Sequence, residues 1–447
     1  MKTHSIRNLR VTLEIILCLI VTSCSGHLIA PGSTGHADPL SFGPEGRLGQ
    51  HDRNPSTPFL HLAPDGHLYA VWTEDDQTVS RQTRQAAGEH QHGSGMKRAP
   101  SPMRAAFLAW SADSGVTWSP PRRVNNTVEA IEGEEGGPRV AFSSNNRAYL
   151  VWSIPNEKGD KTRANIRFAM EDATGGFTAP KTLNQIKDTA RFPIIEFAPD
   201  NTLLVAWIDR RVDNPVPRSL YLMRISPTGH ELTKSYKVGD GLCECCRLGI
   251  AFAEGGKTIY IVDRQVSKEQ IRNHALRKST DGGKTFNTPV EISDDGWRVA
   301  FCPHSGPSIG RDDRGYLHVT WFTLGRSPDE AGVYYSVSKD GGQSFAPRRL
   351  VQADTAAEIL HPTLAVAKDG SVYFAWENVD ETNKAQVFVR ALAPDGKTWS
   401  PIQQVSHASG NASRPVLALS KHRLHVAWTE TDGEASRAVL RTARVGQ

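Results

Sequence analysis

Sulfur is scarce in this chain: 447 residues carry 6 cysteines and 5 methionines. That excludes a small scaffold stapled by disulfides and leaves stability to apolar packing. Net charge is low as well, with Lys and Arg exceeding Asp and Glu by only 4. There is no basic footprint for nucleic acid in such a balance. Beyond the N-terminus no run approaches the ~18 consecutive apolar residues of a membrane helix, so no second membrane segment is expected. What the chain has in quantity is turn chemistry, with 38 Gly and 27 Pro in a sequence that is 38% hydrophobic. That combination reads as globular and turn-rich.

The N-terminus, "MKTHSIRNLRVTLEIILCLIVTSCSGH", opens with basic Lys2, Arg7 and Arg10 and continues as a short apolar stretch. Such a stretch is an export signal rather than a comfortable bilayer span. The run Val21-Thr22-Ser23-Cys24 resembles a bacterial lipoprotein cleavage box. The resemblance implies a signal peptide over 1–23, lipidation at Cys24, and a tether to about residue 50. An ordinary cleaved signal and an uncleaved anchor are the alternatives. Cleavage would leave a formal charge of about +2. It would place the protein in the bacterial cell envelope, on the periplasmic or outer-membrane side, touching the membrane through its lipid only.

Seven segments repeat one pattern: an apolar strand after Pro or a small residue, a polar turn, then a second strand usually ending in Trp. "TPFLHLAPDGHLYAVW" and "HPTLAVAKDGSVYFAW" are examples. The closing positions are Trp72, Trp152, Trp207, Asp263, Trp321, Trp376 and Trp428, spaced 80, 55, 56, 58, 55 and 52 residues apart. A polar insertion at 80–103 accounts for the long first interval. A regular period of this length signals a solenoid or propeller.

Between these pairs lies a second hairpin with its own signature. Ser111-x-Asp113-Ser114-Gly115-x-Thr117-Trp118 recurs as "STDGGKTF" around Asp281 and "SKDGGQSF" around Asp340, with degraded copies at "APDGKTW" and "EDATGGF". This resembles the Asp-box, or BNR repeat, of sialidase-like β-propellers, over essentially the whole mature chain. The resemblance implies an all-β propeller of four-stranded antiparallel blades occupying 51–447. Asp113, Asp281 and Asp340 then have a structural role, tying tight turns. Seven repeats predict seven blades, with six as the alternative. The seventh repeat lacks a fourth strand, which the N-terminal "PLSFGPEGRLG" would supply.

In a propeller, residues just before the innermost strand or just after the second strand converge on one mouth of the central channel. Those positions hold Glu134, Glu135, Arg191, Arg247, His361 and Arg414, and Asp209, Arg210, Asp263, Arg264, Glu377 and Glu430. Of these, Arg191, Asp209, Arg210, Asp263, Arg264, His361 and Arg414 are the candidate ligand-binding residues. Cys243, Cys245, Cys246 and Cys302 fall at the starts of the fourth and fifth blades, with His304 beside them. Three readings stay open there, free redox thiols being one. Disulfides, perhaps Cys243–Cys246 and Cys245–Cys302, suit an oxidising compartment. A thiolate site for copper or zinc completed by His304 or His361 suits the ligand types.

The resemblance also carries an activity to test. Sialidases hold the substrate carboxylate with three arginines and use a tyrosine nucleophile. Arg191-Phe192-Pro193 matches the first arginine motif, with Arg210 and Arg414 as companions. The tyrosine is missing: the last one, Tyr373, falls inside a strand, and Tyr334 and Tyr335 fall in an outer strand. The expectation is therefore a monomeric lipoprotein that binds a glycan, anionic ligand or metal at a Cys-, His- and Arg-lined mouth. A sialidase-type glycoside hydrolase and a protein-interaction scaffold are the alternatives.

Overall fold

The computed structural model describes residues 38–76, 103–156, 163–211, 218–244, 246–299, 304–353 and 358–446. The segment expected to be a signal peptide, Cys24, Cys245, Cys302 and nearly all of the 80–103 insertion lie outside them.

The described residues build seven antiparallel sheets, six of four strands and one of five. Their innermost strands are Ser56–Leu62, Arg139–Phe142, Ala190–Phe197, Gly249–Ala253, Ser308–Arg311, Glu358–Val366 and Asn411–Ser420. Each touches the next, and the seventh touches the first, so the ring closes as a seven-bladed propeller. Blades 1 to 7 are numbered in that order.

Seven apolar clusters hold the ring, one between each pair of neighbouring blades. The repeating Trp anchors them: Trp72, Trp152, Trp207, Trp321, Trp376 and Trp428 are all fully buried. A buried indole N–H needs an acceptor, and a buried carboxylate supplies it in five blades. Trp72 donates to Glu74 at 2.8 Å, Trp152 to Glu129 at 2.8 Å, Trp207 to Asp209 at 2.9 Å, Trp321 to Asp295 at 2.8 Å and Trp428 to Glu430 at 3.1 Å. Blade 4 has Asp263 where the others have Trp. There Arg277 Nε donates to Asp263 at 2.8 Å, and Gln265 donates to it as well, so a polar seam replaces the indole.

The Asp-boxes fold as their residues dictate. Thr117 donates to Asp113 from its backbone N at 2.8 Å and its hydroxyl at 2.6 Å, and Ser111 donates at 2.7 Å. Gly115, at φ 87°, provides the left-handed step. The same ties recur on Asp281 from Thr285 and on Asp340 from Ser344. These bonds, Thr117 first, bring the Asp113 carboxyl down to about 2. Asp281 and Asp340 also fall to about 2, because the Thr285 and Ser344 bonds outweigh partial desolvation.

Residues 41–48 correct the expected boundary of the tether. Ser41–Phe42 and Gly46–Leu48 pair with Ala435–Arg444 as the outer edge of blade 7. The propeller therefore includes them, and the ring is sealed by its own N-terminal segment.

Candidate functional site: the charged mouth of the axial channel

Seven equivalent positions stand at the channel-mouth ends of the innermost strands, just before them at Gly137, Arg247 and Gly306 and within their first residues at Thr57, Phe192, His361 and Arg414. In four of them the backbone is left-handed: φ is 51° at Thr57, 53° at Phe192, 50° at His361 and 55° at Arg414. None is glycine, and each precedes a proline. In the same four blades the strand pairing slips at this point, a bulge between Ser56 and Phe59, Arg191 and Ile194, Leu360 and Thr363, and Ser413 and Val416. A bulge re-aims a side chain, and non-glycine residues held at positive φ cost roughly 1–2 kcal/mol each. The fold carries this strain four times around one rim.

Below that rim the innermost strands of all seven blades enclose a cavity of about 170 Å³. Its polar lining is Glu135, Arg139, Arg247, Glu196, Ser308 and Thr363, and its aromatic lining is Phe59 and Phe192. The charges are linked across the channel. Arg247 Nη2 donates to the Pro362 carbonyl at 2.9 Å, and its Nε lies 4.0 Å from Glu135 Oε2. Glu135 Oε1 is 3.8 Å from His361 Nε2, and His361 Nδ1 is 2.8 Å from Glu377 Oε1. Glu377 Oε2 in turn accepts the Arg414 backbone N–H at 2.6 Å.

Burial would push both carboxyls up. At Glu135 the charges of Arg247, His361, Arg139 and Arg414 outweigh it and hold the group below the usual range. At Glu377 the same is done by His361 and Arg414. Arg139 is brought down to about 10 by burial, against the pull of Glu135, and stays protonated at neutral pH. Its guanidinium also stacks over Phe59 at 4.9 Å. The rim thus holds three guanidinium groups, on Arg139, Arg247 and Arg414, against two ionised carboxylates.

Of the residues expected at the mouth, His361 and Arg414 meet there through Glu135 and Glu377. Arg191 stacks over Phe192 at 4.3 Å, and His304 meets Phe192 edge-on at 6.4 Å. Arg210 follows the second strand of blade 3, its backbone N bonded to the Thr189 carbonyl, and does not line the cavity. Asp209, Asp263 and Arg264 turn into the walls instead. Asp209 accepts from Trp207 and from Arg211 at 2.9 Å. Asp263, raised by burial against the pull of Arg277 and Gln265, serves the blade 4 seam. Arg264 is 1% exposed beneath Trp297. Strand alternation explains Asp209: the residue two beyond a buried Trp shares its face and not the channel's.

Cys243 and Cys246 are both buried, and their sulfurs lie 3.5 Å apart. A disulfide needs ~2.05 Å, so the local Cys243–Cys246 bond considered from sequence is not formed. Among the described residues no three His, Cys, Asp or Glu side chains are placed to hold a metal ion. Tyr373, Tyr334 and Tyr335 are all packed between blades, and no tyrosine lines the cavity among the described residues. The cavity residues that sequence reading missed are Arg139 and Glu196. Their signal was positional: each lies two or four residues beyond the rim position, on the channel-facing side of a strand.

No family model and no curated protein matches the chain. Solved structures do. A polysaccharide lyase, ulvan lyase bound to -[GlcA(1-4)Rha3S]-, aligns with TM-score 0.53 at 10% identity, over 92% of this chain and 96% of its own. An α-L-arabinanase of Penicillium chrysogenum aligns with TM-score 0.46 at 15% identity, over 80% and 98%. A Hadza microbial sialidase aligns with TM-score 0.44 at 12% identity, the chain spanning 66% of its length. What the ulvan lyase shares with the chain is its fold.

Proposed function

We propose that the channel mouth binds an anionic carbohydrate through one carboxylate- or sulfate-bearing sugar unit. The observation that carries this reading is the charge count at the rim. Arg139 and Arg247 both face Glu135, Arg414 faces Glu377 through its backbone, and burial pushes the other lining carboxyl, Glu196, up against the pull of His61, which disfavours its charged form, so cationic charge is in excess around a cavity with low-dielectric walls. Such a cleft concentrates anions, and guanidinium matches carboxylate and sulfate oxygens. Phe59 and Phe192 add apolar faces suited to the C–H surface of a sugar ring. At about 170 Å³ the cavity is below the ~300 Å³ of a drug-sized pocket, which favours a single terminal unit over a buried oligosaccharide.

The protein would perform this binding outside the cytoplasm, tethered through lipidated Cys24. Export and anchoring rest on the N-terminal sequence alone. They are checked by fractionating cells that express the chain with Cys24 or with Cys24→Ser: the variant should leave the membrane fraction.

The binding reading is tested by calorimetric titration with oligosaccharides ending in glucuronate, sialate or a sulfated sugar, beside neutral counterparts. The anionic set should bind, more weakly as salt rises, and Arg247→Met should weaken it at least tenfold. Equal affinity for neutral sugars, or an unchanged Arg247→Met variant, would overturn it. An α-sialoside reporter in the same series separates binding from hydrolysis, and with no tyrosine at the cavity no release is expected.

A further inference from the structure

The wall beside blade 4 holds two buried guanidinium groups that make no ion pair with a carboxylate among the described residues. Arg272 is 6% exposed. Its Nε donates to the Val299 carbonyl at 3.2 Å and its Nη1 to the Cys243 sulfur at 2.9 Å. Arg264 donates from Nε to His274 Nε2 at 3.1 Å and from Nη2 to the Phe322 carbonyl at 2.8 Å, while its Nη1 has no hydrogen-bond partner. A guanidinium can donate only to an imidazole lone pair, so His274 is neutral and adds no charge of either sign.

Buried cations without a counter-charge are costly. Among the described residues, the one group in hydrogen-bond contact with either arginine that can become an anion is the sulfur of Cys243. That sulfur receives two donors, the Arg272 N–H and the S–H of Cys246 at 3.5 Å. Two donors converging on one sulfur suit a thiolate. Cys246 stays protonated, since burial and its bond to Cys243 both push its thiol up. In sequence, Cys243-Glu244-Cys245-Cys246 gives the pair the two-residue spacing of redox dithiols.

We propose that Cys243 and Cys246 form a redox-active dithiol, with Cys243 the thiolate nucleophile held by Arg272 and Cys246 the resolving thiol. The oxidant is hydrogen peroxide, small enough for a buried pair. The Cys243 thiolate attacks one peroxide oxygen, the O–O bond breaks, hydroxide leaves, and Cys243 becomes a sulfenic acid. The Cys246 sulfur then attacks the Cys243 sulfur. The S–S bond forms as S–O breaks, and the departing hydroxyl leaves as water with the Cys246 proton. The first hydroxide takes the proton that Cys243 had released. Two thiols thus lose two electrons, and peroxide becomes two waters.

The surroundings also set the direction of poise. Closing the disulfide removes the anion and leaves Arg272 buried without it, so the reduced pair is favoured and the disulfide is readily reduced. The same guanidinium groups disfavour a metal cation at these sulfurs, which separates this reading from a copper or zinc site.

The test uses the full chain, with peptide mapping after peroxide treatment and redox titration in glutathione buffers. Peroxide should link Cys243 to Cys246. Arg272→Met should shift the titration toward disulfide by about tenfold or more, and Arg272→Lys should hold it near wild type. In Cys246→Ser the sulfenic acid cannot resolve, and dimedone should label Cys243. A peroxide-induced link from Cys243 or Cys246 to Cys245 or Cys302, an unshifted Arg272→Met, or no dimedone label on Cys243 would each overturn the proposal. The Cys246→Ser arm stands even if Arg272→Met fails to fold.

Discussion

Cys246 and Arg247 are chain neighbours that serve opposite sides of the same wall. The Cys246 sulfur lies against Cys243 inside the blade, while the Arg247 guanidinium crosses the channel to the Pro362 carbonyl of blade 6 at 2.9 Å. One dipeptide thus joins a buried sulfur pair to the charged rim.

Arg247→Met keeps most of the side-chain stem and removes the charge. Charge-assisted hydrogen bonds contribute roughly 1.5–3 kcal/mol each, so affinity for an anionic ligand should fall about tenfold to a hundredfold. Because Arg247 is first among the charges that hold buried Glu135 ionised, the melting temperature should fall as well, and affinity is read on the folded fraction. Calorimetry and thermal melts on one preparation read both.

Glu129 ties two buried donors, Trp152 Nε1 and Arg167 Nε, each at 2.8 Å. Glu129→Ala strands an indole N–H and a guanidinium together, which costs about 3 kcal/mol or more. Urea unfolding should show a lower midpoint, with ligand affinity retained by the folded fraction.

Removing residues up to 49 deletes the two strands that cover Ala435–Arg444 and takes Leu48 out of the cluster between blades 7 and 1. A long exposed edge strand is a template for association. Light scattering after size exclusion should show larger species than the intact chain gives, with a lower melting temperature.

Stability should fall as pH drops from about 6.5 to about 4. His274 and His425 are buried and neutral, each brought down to about 4 by burial and then by Arg264 or Arg423. An unfolded imidazole titrates near 6.5. Within the window the unfolded chain takes up protons that the folded chain refuses, so the loss reaches on the order of 3 kcal/mol per histidine at pH 4. The Asp-box carboxyls, at about 2, act only below it. Denaturant melts across pH 4–7 measure the slope, and His425→Gln should remove about half of it.

The blade count and the Asp-box turns were readable because a period and a local hydrogen-bond motif leave marks in adjacent residues. Trp207 and Asp209 show where that reading stopped. Their two-residue spacing put them on one face, yet position after the strand suggested the channel. Arg272 left no mark at all, since its meaning depends on a sulfur 29 positions away. The four left-handed residues were equally hidden. Thr57, Phe192, His361 and Arg414 share a following proline but no chemistry, and the bulge that unites them belongs to the strand pairing.

Because residues 41–48 find their hydrogen-bond partners in 435–444, these two strands have nowhere to dock until residues 435–444 have been translated. A nascent chain is an unsealed arc. The apolar flanks of its end blades are then open to any neighbour. Such a molecule cannot mature blade by blade to completion. It needs shielding until its two ends meet, and yield in cells should depend on holding chaperones more than on the intrinsic strength of any single sheet.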